Sequence, residues 1–249
     1  MIAPLRLSYV LPVHNQEASL RASVVRLSQR LRQFPGSEVL LIENGSTDDS
    51  GAVCRALAAE LTTDGVSVRA ATSPRGMGHA YQRGLQLMSD ATDVAVLSAA
   101  DLPFGYTDLD AFIRIVPRPE IAVASKSHVD SVTEIPATRK VMSAVFNTLR
   151  RALVGLTVSD SQGVCIIDAR LARRVLPQLQ CGDYLISTEI DCWAERYGAT
   201  IVELPVVYRA TGQSTVSPLR DSMRMAAGLV ALRRRLRKSR AVARSTRTA

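Results

Sequence analysis

Polar side chains that can bind a nucleotide or a metal ion follow four short apolar runs of this sequence. These groups are His14-Asn15-Gln16-Glu17, Glu43-Asn44, the segment 75–78 and Asp101. The carboxyl ends of parallel strands meet at one edge of a sheet, and ligands of open α/β sheets bind outside that edge. If the four runs are such strands, the polar groups line one cleft. The spacing therefore predicts a site large enough for a nucleotide.

The elements that must position these groups alternate between short apolar runs and helical stretches, a pattern typical of a mostly parallel α/β sheet flanked by helices. The predicted strands cover residues 7–12, 38–42, 67–71, 93–97, 121–125, 164–167 and 200–207, and the predicted helices cover residues 17–32, 79–88, 138–154 and 188–197. Thr47 or Asp48 is expected to cap a further helix. The length of 249 residues fits a single domain.

Signatures of several protein classes are missing. No G-x-G-x-x-G follows the first strand and no G-x-x-x-x-G-K-[ST] occurs, which argues against a dinucleotide fold and a P-loop. The four cysteines form no C-x-x-C pair, which argues against a zinc site. No apolar run approaches the length of a membrane span, and the first residues lack a signal-peptide pattern, so we expect a cytoplasmic protein. The strand pattern alone still fits a dehydrogenase or a nucleotidyltransferase.

The net charge of +8 is concentrated at the end of the chain. Eight basic residues and no acidic ones occur from Arg233 onward, and the rest of the chain has 23 basic and 23 acidic residues. Just before this run, apolar residues recur at helical spacing: Met225, Leu229, Leu232 and Leu236. A basic amphipathic helix suits the surface of an anionic membrane, which would place the protein on the inner face of the plasma membrane.

The alternative for this region is a last helix packed on the domain, followed by a solvated tail. Nucleic acid is a less favoured partner, because the remainder of the chain has neither a basic stripe nor stacking aromatic residues. The predicted organisation is a catalytic domain at 1–217, a basic amphipathic helix at 218–238 and a disordered tail at 239–249.

Four segments in the first half of the chain resemble motifs of glycosyltransferase family 2. Residues 10–17 (VLPVHNQE) are similar to its opening segment V-I-P-x-Y-N-E-E, and residues 42–48 (IENGSTD) to its V-D-D-G-S-T-D turn. Residues 75–84 resemble its N-x-G-x-x-A…G segment, and residues 97–102 (LSAADL) lie where the family has L-D-A-D-L. The resemblance implies the GT-A fold and a nucleotide-sugar donor.

Segments in the second half resemble dolichyl-phosphate mannose synthase and related polyprenyl-phosphate glycosyltransferases. Residues 159–164 are similar to their D-x-x-x-G-F/C segment, and residues 187–189 to F-x-x-E. Residues 203–206 and 209–214 resemble E-V-P-I and R-x-x-G-x-S, and residues 125–127 lie where these enzymes have G-S-R. The resemblance implies inverting transfer of one sugar from a nucleoside-diphosphate sugar to a polyprenyl phosphate at the cytoplasmic face of a membrane.

The resemblance also implies roles for individual residues. The nucleobase and ribose of the donor are expected against Pro12, His14, Gln16, Glu43 or Asn44, and Gly78. The acceptor phosphate is expected against Lys126, Arg139, Ser143 and Arg209, of which Arg209 could instead bind the donor diphosphate. Cationic side chains of this kind neutralise and orient a dianionic phosphate. His14 replaces the family's tyrosine and could still stack on a base.

The metal-binding motif of the family is incomplete here. The family pattern has two carboxylates that hold Mg²⁺ or Mn²⁺ against the donor diphosphate, whereas this chain has Ala99 at the first position and keeps only Asp101. One carboxylate and diphosphate oxygens can still hold Mg²⁺, because Mg²⁺ retains several waters. The substitution leaves a weakened metal site and a catalytically degenerate, nucleotide-binding relative as alternatives.

Glu189 and Asp191 lie where other family 2 members have an E-D pair, and they are the remaining candidates for catalysis. If the acceptor is a soluble hydroxyl compound, Asp191 would be the general base that such an acceptor needs. A phosphate acceptor is already ionised and needs no base. The alternative role of the two carboxylates is a capped or ion-paired helix face.

Overall fold

A central sheet with helices on both faces forms the body of the protein in this computed structural model. The structure describes residues 5–62, 65–134, 137–156, 158–160, 163–209 and 218–245. The strands are β1 (Leu7–Val13), β2 (Ser37–Glu43), β3 (Val66–Thr72), β4 (Val94–Leu97), β5 (Ile121–Ser125), β6 (Val132–Glu134), β7 (Cys165–Asp168), β8 (Ile201–Pro205) and β9 (Val207–Arg209). The helices are α1 (Glu17–Leu31), α2 (Ser50–Leu61), α3 (Met77–Leu87), α4 (Thr107–Arg114), α5 (Ala137–Val154), α6 (Ala169–Val175), α7 (Ile186–Arg196) and α8 (Pro218–Ser245).

The strand order explains why the predicted ligand-binding turns meet. The main sheet has seven strands in the order β3-β2-β1-β4-β7-β5-β8, and a separate two-stranded sheet pairs β6 with β9. Strands β3, β2, β1 and β4 are parallel, so the turns after them lie along one edge. Among the described strands of the main sheet, only β7 is antiparallel to its neighbours. The predicted mostly parallel α/β fold is confirmed.

The core has two layers, one on each face of the sheet. Alternate residues of β1 point to opposite faces, so Leu11 packs in one apolar layer and Val10 in the other. Helix α3 lies very close to β1 at Gly84, where a Cβ atom would come within 2.1 Å of a Val10 methyl group. The small residue of the family motif therefore has a packing reason here.

The predicted strand at 200–207 is divided in two by the structure. Strand β8 ends at Pro205, and the chain then leaves the edge of the main sheet to form β9 against β6. The intervening Val206 donates its N–H to Ser131 Oγ at 2.9 Å, and its carbonyl accepts from the Val132 N–H at 3.0 Å. These bonds fasten β9 to the turn that follows β5.

The expected caps of α2 are displaced. The helix begins at Ser50 with Asp49 as the N-cap residue, and Asp49 makes no side-chain cap bond. Asp48 instead accepts the Ser50 N–H at 3.0 Å with one oxygen and the Glu17 N–H at 3.1 Å with the other. The carboxylate that could have capped the helix also holds the start of α1.

The apolar stripe of helix α8 is buried inside the protein. Leu229 and Leu232 are fully buried and Leu236 is nearly so, with Leu232 and Leu236 in the same core layer as Trp193 of α7. The helix continues to Ser245, past residue 238, whereas the sequence predicted disorder from 239 onward; residues 246–249 lie outside the described residues. The stripe therefore matches the alternative of a helix packed on the domain.

Asp108 in the first turn of α4 gives a stability prediction. Burial raises the pKa of its carboxyl to about 6, from an ordinary value of 3.8. Because the pKa is higher in the folded protein than in the unfolded chain, the protonated carboxyl favours the folded state. This contribution to stability is fully present below pH 4 and is lost as the pH rises through 6. We expect Asp108→Asn to raise the free energy of unfolding at pH 7.5 by about 3 kcal/mol, since each pKa unit corresponds to about 1.4 kcal/mol.

Urea unfolding at pH 4 and pH 7.5 measures this effect, with Asp90→Asn at an exposed position as the control. At pH 4 the gain from Asp108→Asn should be much smaller. An equal gain at both pH values would contradict the assignment of the effect to ionisation.

Candidate active site

Hydrogen bonds join the turns that follow β1 and β2. The side-chain oxygen of Asn15 accepts the Thr47 N–H at 2.8 Å, and the N–H of Asn15 donates to Ser46 Oγ at 3.1 Å. The Gln16 N–H donates to Ser50 Oγ at 2.7 Å. Asn15 has φ of 52°, a left-handed conformation that asparagine tolerates better than most residues. These bonds hold the two turns in fixed relation, as expected of a pre-formed ligand cleft.

Pro12, Glu43 and Asn44 lie at the carboxyl ends of β1 and β2, as predicted for the donor pocket. Pro12 and Glu43 are half-buried, and Asn44 is buried with its N–H donating to the Val13 carbonyl at 3.0 Å. Glu43 Oε1 accepts the Ser46 N–H at 2.5 Å. Glu43 therefore stabilises the turn at which the predicted donor pocket lies.

His14 has an unsatisfied ring nitrogen. The residue is half-buried just after β1, and its Nδ1 atom is buried without a hydrogen-bond partner in the described part of the protein. Buried polar atoms are nearly always paired. A ligand in the cleft could complete the pairing of Nδ1, in addition to the stacking role predicted for the ring.

Gly78 is buried at the start of α3, but its N–H is already engaged. It donates to the Gly182 carbonyl at 3.0 Å, and the His79 N–H donates to the same oxygen at 3.4 Å. The first amides of a helix form a natural anion site when they are free. Here a turn of the protein occupies them, so Gly78 shapes the predicted donor segment without presenting its amide to a phosphate.

Ala99 and Asp101 are both exposed on the loop that follows β4. The Ala99 carbonyl accepts the Leu102 N–H at 3.0 Å, and Leu102 has φ of 49°, so the chain turns sharply just beyond Asp101. Within the described residues, no group of three or more His, Cys, Asp and Glu side chains is placed to hold a metal ion. A metal ion at this edge would therefore depend on Asp101 and on oxygen atoms of a bound diphosphate.

Lys126, the first predicted phosphate ligand, begins the turn after β5 and is paired with buried Asp160. Its Nζ lies 3.6 Å from Asp160 Oδ2 and 5.7 Å from the centre of the Tyr208 ring. The Lys126 N–H also donates to Asp160 Oδ2, at 3.3 Å. Asp160 thus holds this cation in place, half-buried, beside β9.

The other predicted phosphate ligands come from α5 and β9. Arg139 and Ser143 are four residues apart on α5, which places them one turn apart on one face, and Ser143 is exposed. Arg209 ends β9 directly after Tyr208, the residue that contacts Lys126. The side chains of Arg139 and Arg209 lie outside the described residues. The structure therefore brings Lys126 and β9 together and places α5 residues on a separate element.

Glu189 is fully buried in α7, and both of its carboxylate oxygens are engaged. Oε2 accepts the Gln180 N–H at 3.0 Å and the Cys181 N–H at 2.8 Å, and Oε1 accepts from Arg235 of α8. A group that transfers a proton must reach the substrate. The surroundings of Glu189 match the ion-paired alternative better than a catalytic role.

Asp191 is also buried, and its Oδ2 atom has no hydrogen-bond partner in the described part of the chain. Burial raises the pKa of Asp191 well above its ordinary range, and the charge of the equally buried Arg150 opposes that rise. The side chain has almost no exposed surface from which it could reach an acceptor hydroxyl. This environment does not suit a general base.

Two of the depressions in the described surface lie at opposite edges of the sheet. The smaller, of about 470 Å³, is lined by residues 15–19 and Asp48, at the edge that carries the donor motifs. The larger, of about 760 Å³, lies at the opposite edge of the sheet, among residues such as Arg6, Asp93 and Arg173. Volume alone would select the opposite edge, whereas the smaller depression includes Gln16 of the predicted donor site.

The family assignment rests on the region that contains this edge. A profile of the family described as Glycosyl transferase family 2 matches residues 8–169, from β1 to the first residue of α6. The chain belongs to glycosyltransferase family 2. The matched region covers all four predicted ligand-binding turns, including Ala99 and Asp101. The protein is therefore a glycosyltransferase.

Similar proteins agree with this assignment. The dolichyl-phosphate beta-glucosyltransferase of Saccharomyces cerevisiae is 22% identical over 91% of this chain and 74% of its own length. The polyprenol monophosphomannose synthase of Mycolicibacterium smegmatis is 26% identical over 84% of this chain and 80% of its own length. A structure of glucosyl-3-phosphoglycerate synthase from Mycobacterium tuberculosis with Mg²⁺ and UDP has a TM-score of 0.60, at 19% identity over 92% of this chain and 78% of that one. This last likeness establishes the fold.

Three features of this family 2 site were not assigned from the sequence. Asp160 was part of a recognised motif, but its pairing with Lys126 joins positions 34 residues apart. No sequence motif marked Gly182 as part of the site. Its contacts with the glycines of the 75–78 segment explain why that segment is glycine-rich. Arg150 is almost fully buried, which nothing in the local sequence pattern indicates.

Proposed function

We propose that this family 2 glycosyltransferase transfers a sugar, with inversion, from a nucleoside-diphosphate sugar to a polyprenyl phosphate. The observation that carries the proposal is an exposed apolar surface that begins at Val129, three residues after the predicted phosphate-binding cation Lys126. The names of two relatives, a dolichyl-phosphate beta-glucosyltransferase and a polyprenol monophosphomannose synthase, support the same acceptor class. The acceptor would place its phosphate at Lys126 and its hydrocarbon chain along the neighbouring valines.

Those valines form a surface that we call the valine ribbon: Val129, Val132 and Val207. Their exposed fractions are 90%, 60% and 47%, and Val132 and Val207 are register partners in the β6–β9 pair. Contiguous exposed apolar side chains are characteristic of lipid- or protein-contact surfaces. Lys126 lies in the turn that leads to Val129, three residues before it, and its ammonium group contacts Tyr208, whose side chain points to the opposite face of β9 from Val207. A cation at the start of the turn that leads into this apolar strip suits a ligand with an anionic head and a hydrocarbon tail.

The buried state of Asp191 also favours a phosphate acceptor. Transfer to a hydroxyl needs a group that removes its proton. The candidate base, Asp191, is enclosed and has almost no exposed surface. A phosphate monoester is already ionised, so it can attack the sugar carbon without that help. The new bond forms between a phosphate oxygen and the anomeric carbon, and the bond to the nucleoside diphosphate breaks.

The donor would lie across the edge formed by the turns after β1, β2 and β4. Half-buried His14 would stack on the base and offer Nδ1, and Asp101 would face the diphosphate. The residues present fit a divalent cation only when the donor supplies most of the oxygen ligands, which Mg²⁺ accepts because it keeps several waters. Such an ion would offset the charge that develops on the departing diphosphate.

Contact with an anionic membrane would be electrostatic. The apolar stripe of α8 is buried, whereas Arg234, Arg237 and Lys238 on the same helix are exposed. Each such cation near an anionic surface contributes about 1 kcal/mol. No helix in the described part of the chain is long and apolar enough to cross a bilayer. We place the enzyme at the cytoplasmic membrane face, where a peripheral protein could meet both substrates.

A pair of matched acceptors tests the proposal. A short polyprenyl phosphate and the corresponding polyprenol have the same hydrocarbon chain and differ only in the phosphate. With a radiolabelled donor, we expect extractable product from the phosphate and none above background from the alcohol. Equal transfer to both, or transfer only to a soluble hydroxyl compound, would refute the phosphate acceptor and favour the alternative family 2 activity.

The incomplete metal motif gives a second test. Ala99 is exposed, so an aspartate there can enter solvent without displacing other groups. We expect Ala99→Asp to lower the Mg²⁺ concentration for half-maximal activity by about 5–20-fold, because an added carboxylate ligand strengthens the site. The value of kcat at saturating Mg²⁺ should change little. An inactive wild type that becomes active on this substitution would instead identify a degenerate enzyme.

A further inference from the structure

The turn at residues 180–182 is packed against the predicted donor segment at the start of α3. The Gly182 carbonyl accepts the Gly78 and His79 N–H groups, and the Cys181 carbonyl accepts from Gln82 Nε2 at 3.0 Å. The first amides of a helix have no partner within it. The turn supplies these partners, so it determines where the helix begins.

The contact between the turn and this segment leaves no free space. A Cβ atom would lie 2.2 Å from the Gly182 carbonyl oxygen at Gly76, and 2.1 Å from the Cys181 carbonyl oxygen at Gly78. A Cβ atom at Gly182 would lie 2.4 Å from the His79 ring. Because three glycines meet in this way, a displacement of the turn must also displace residues 76–79.

Glu189 holds the turn in place. Its Oε2 atom accepts the N–H groups of Gln180 and Cys181, two consecutive residues of the turn. The residue has no exposed surface. A buried carboxylate is tolerated only when hydrogen bonds and an opposite charge compensate for its lost hydration. The remaining oxygen therefore requires a cation.

Arg235 of α8 provides that cation. Its guanidinium donates to Glu189 Oε1 through Nη1, and Nη2 lies 3.3 Å from Cys181 Sγ. Burial, assisted by the Glu189 carboxylate, raises the pKa of the Cys181 thiol to about 12, so the sulfur stays neutral. Glu189 is then the anion that Arg235 neutralises. Arg196 of α7 donates to the Leu236 carbonyl, which fastens the same part of α8.

We infer that Glu189 is a positioning residue for the donor site and that Arg235 makes this positioning depend on the docking of α8. The sequence of contacts runs from α8 through Arg235 and Glu189 to the 180–182 turn and then to residues 76–79. The inference rests on the proposed function in one respect, because it takes residues 76–79 to be part of the donor site. Detachment of α8 would leave a buried carboxylate without its counter-ion and loosen the donor segment.

Arg235→Met tests the inference, because it removes the charge and keeps much of the volume. We expect the Kd for UDP or GDP, whichever the wild type binds, to rise by about ten-fold or more, since small displacements at a binding site are costly. The KM for the acceptor should stay within about two-fold, and Arg235→Lys should recover part of the donor affinity. Arg32→Met, at an exposed arginine after α1, is the control for loss of one charge.

The double variant Glu189→Gln/Arg235→Met distinguishes positioning from simple destabilisation. It leaves no unpaired buried charge, so we expect its donor affinity to be no weaker than that of Arg235→Met. Measurements are made well below the Tm of each variant. If Arg235→Met lowers the Tm but leaves the donor Kd unchanged within about two-fold, the inference is overturned, since loss of the contact would then affect only stability.

Hydrogen exchange gives a readout that needs no ligand. In Arg235→Met, the amides of residues 76–82 and 180–182 should exchange faster than in wild type and in Arg32→Met. Unchanged exchange at residues 76–82 would overturn the inference. If the wild type binds neither nucleotide, the donor assignment of the proposed function fails, and the exchange result alone decides whether α8 is coupled to this segment.

Discussion

Replacing Asp101 by asparagine is expected to lower kcat by about 10²–10³-fold, the loss typical when a group that stabilises transition-state charge is removed. The reason is the incomplete motif: Ala99 offers no carboxylate, so the loop after β4 depends on Asp101. The residue is exposed, so the substitution should leave the Tm unchanged. Steady-state transfer rates at saturating donor and Mg²⁺ measure the effect.

Asp90→Asn is the matched control for Asp101→Asn. Asp90 is exposed at the opposite edge of the sheet, beside the larger depression, and should keep wild-type kcat. Retention of more than about a tenth of the activity by Asp101→Asn would place the charge-stabilising group elsewhere, since loss of such a group costs at least 10²-fold.

Charge reversal at Arg139 is expected to abolish transfer to a polyprenyl phosphate, with a loss of about 10³-fold or more, while nucleotide binding is retained. A carboxylate beside the acceptor site would repel the dianionic phosphate and also remove a cationic donor. Arg139 lies on α5, whereas the predicted donor turns follow β1 and β2. Donor Kd and acceptor-dependent turnover, measured on the same protein preparation, separate the two effects.

Arg151→Glu provides the comparison on the same helix. Arg151 is exposed in the last turn of α5, three turns from Arg139, and its reversal should not change acceptor turnover. If Arg139→Glu still transfers sugar to the lipid phosphate, or if Arg151→Glu is equally inactive, the acceptor site has been placed wrongly.

The strands were predictable from sequence because each is a short apolar run between polar turns. The run 7–12 corresponds to β1 and the run 38–42 to β2, and both have inward-facing residues on each side of the sheet. The edge that carries His14, Glu43 and Asp101 followed from the rule that parallel strands end together. Strand direction is not encoded in such a run, so the antiparallel orientation of β7 was not predicted.

Long-range pairings account for most of what the sequence did not reveal. The bond between Arg235 and Glu189 joins residues 46 positions apart, and no local periodicity indicates that they meet. The carboxylates of Glu189 and Asp191 were candidates because of their motif positions. Burial distinguishes a structural carboxylate from a catalytic one. It depends on how α7 packs against other elements, which the local sequence does not show.

The basic helix illustrates the same limit. Its stripe of Leu229, Leu232 and Leu236 was correctly recognised as one apolar face. An amphipathic pattern fixes which side is buried but not whether protein or lipid covers it. The structure answers that question because the leucines enter the core, whereas the exposed cations remain available to an anionic surface.

The most direct test of the proposed transfer to a polyprenyl phosphate is product analysis by mass spectrometry. Purified protein is incubated with individual UDP- and GDP-sugars and a short polyprenyl phosphate, with Mg²⁺, with Mn²⁺ and with chelator. The proposed function requires one glycosyl phosphoryl lipid, from one class of donor and only with the divalent cation. Nucleotide binding with no lipid-linked product, or sugar recovered only on a soluble hydroxyl compound, would contradict it.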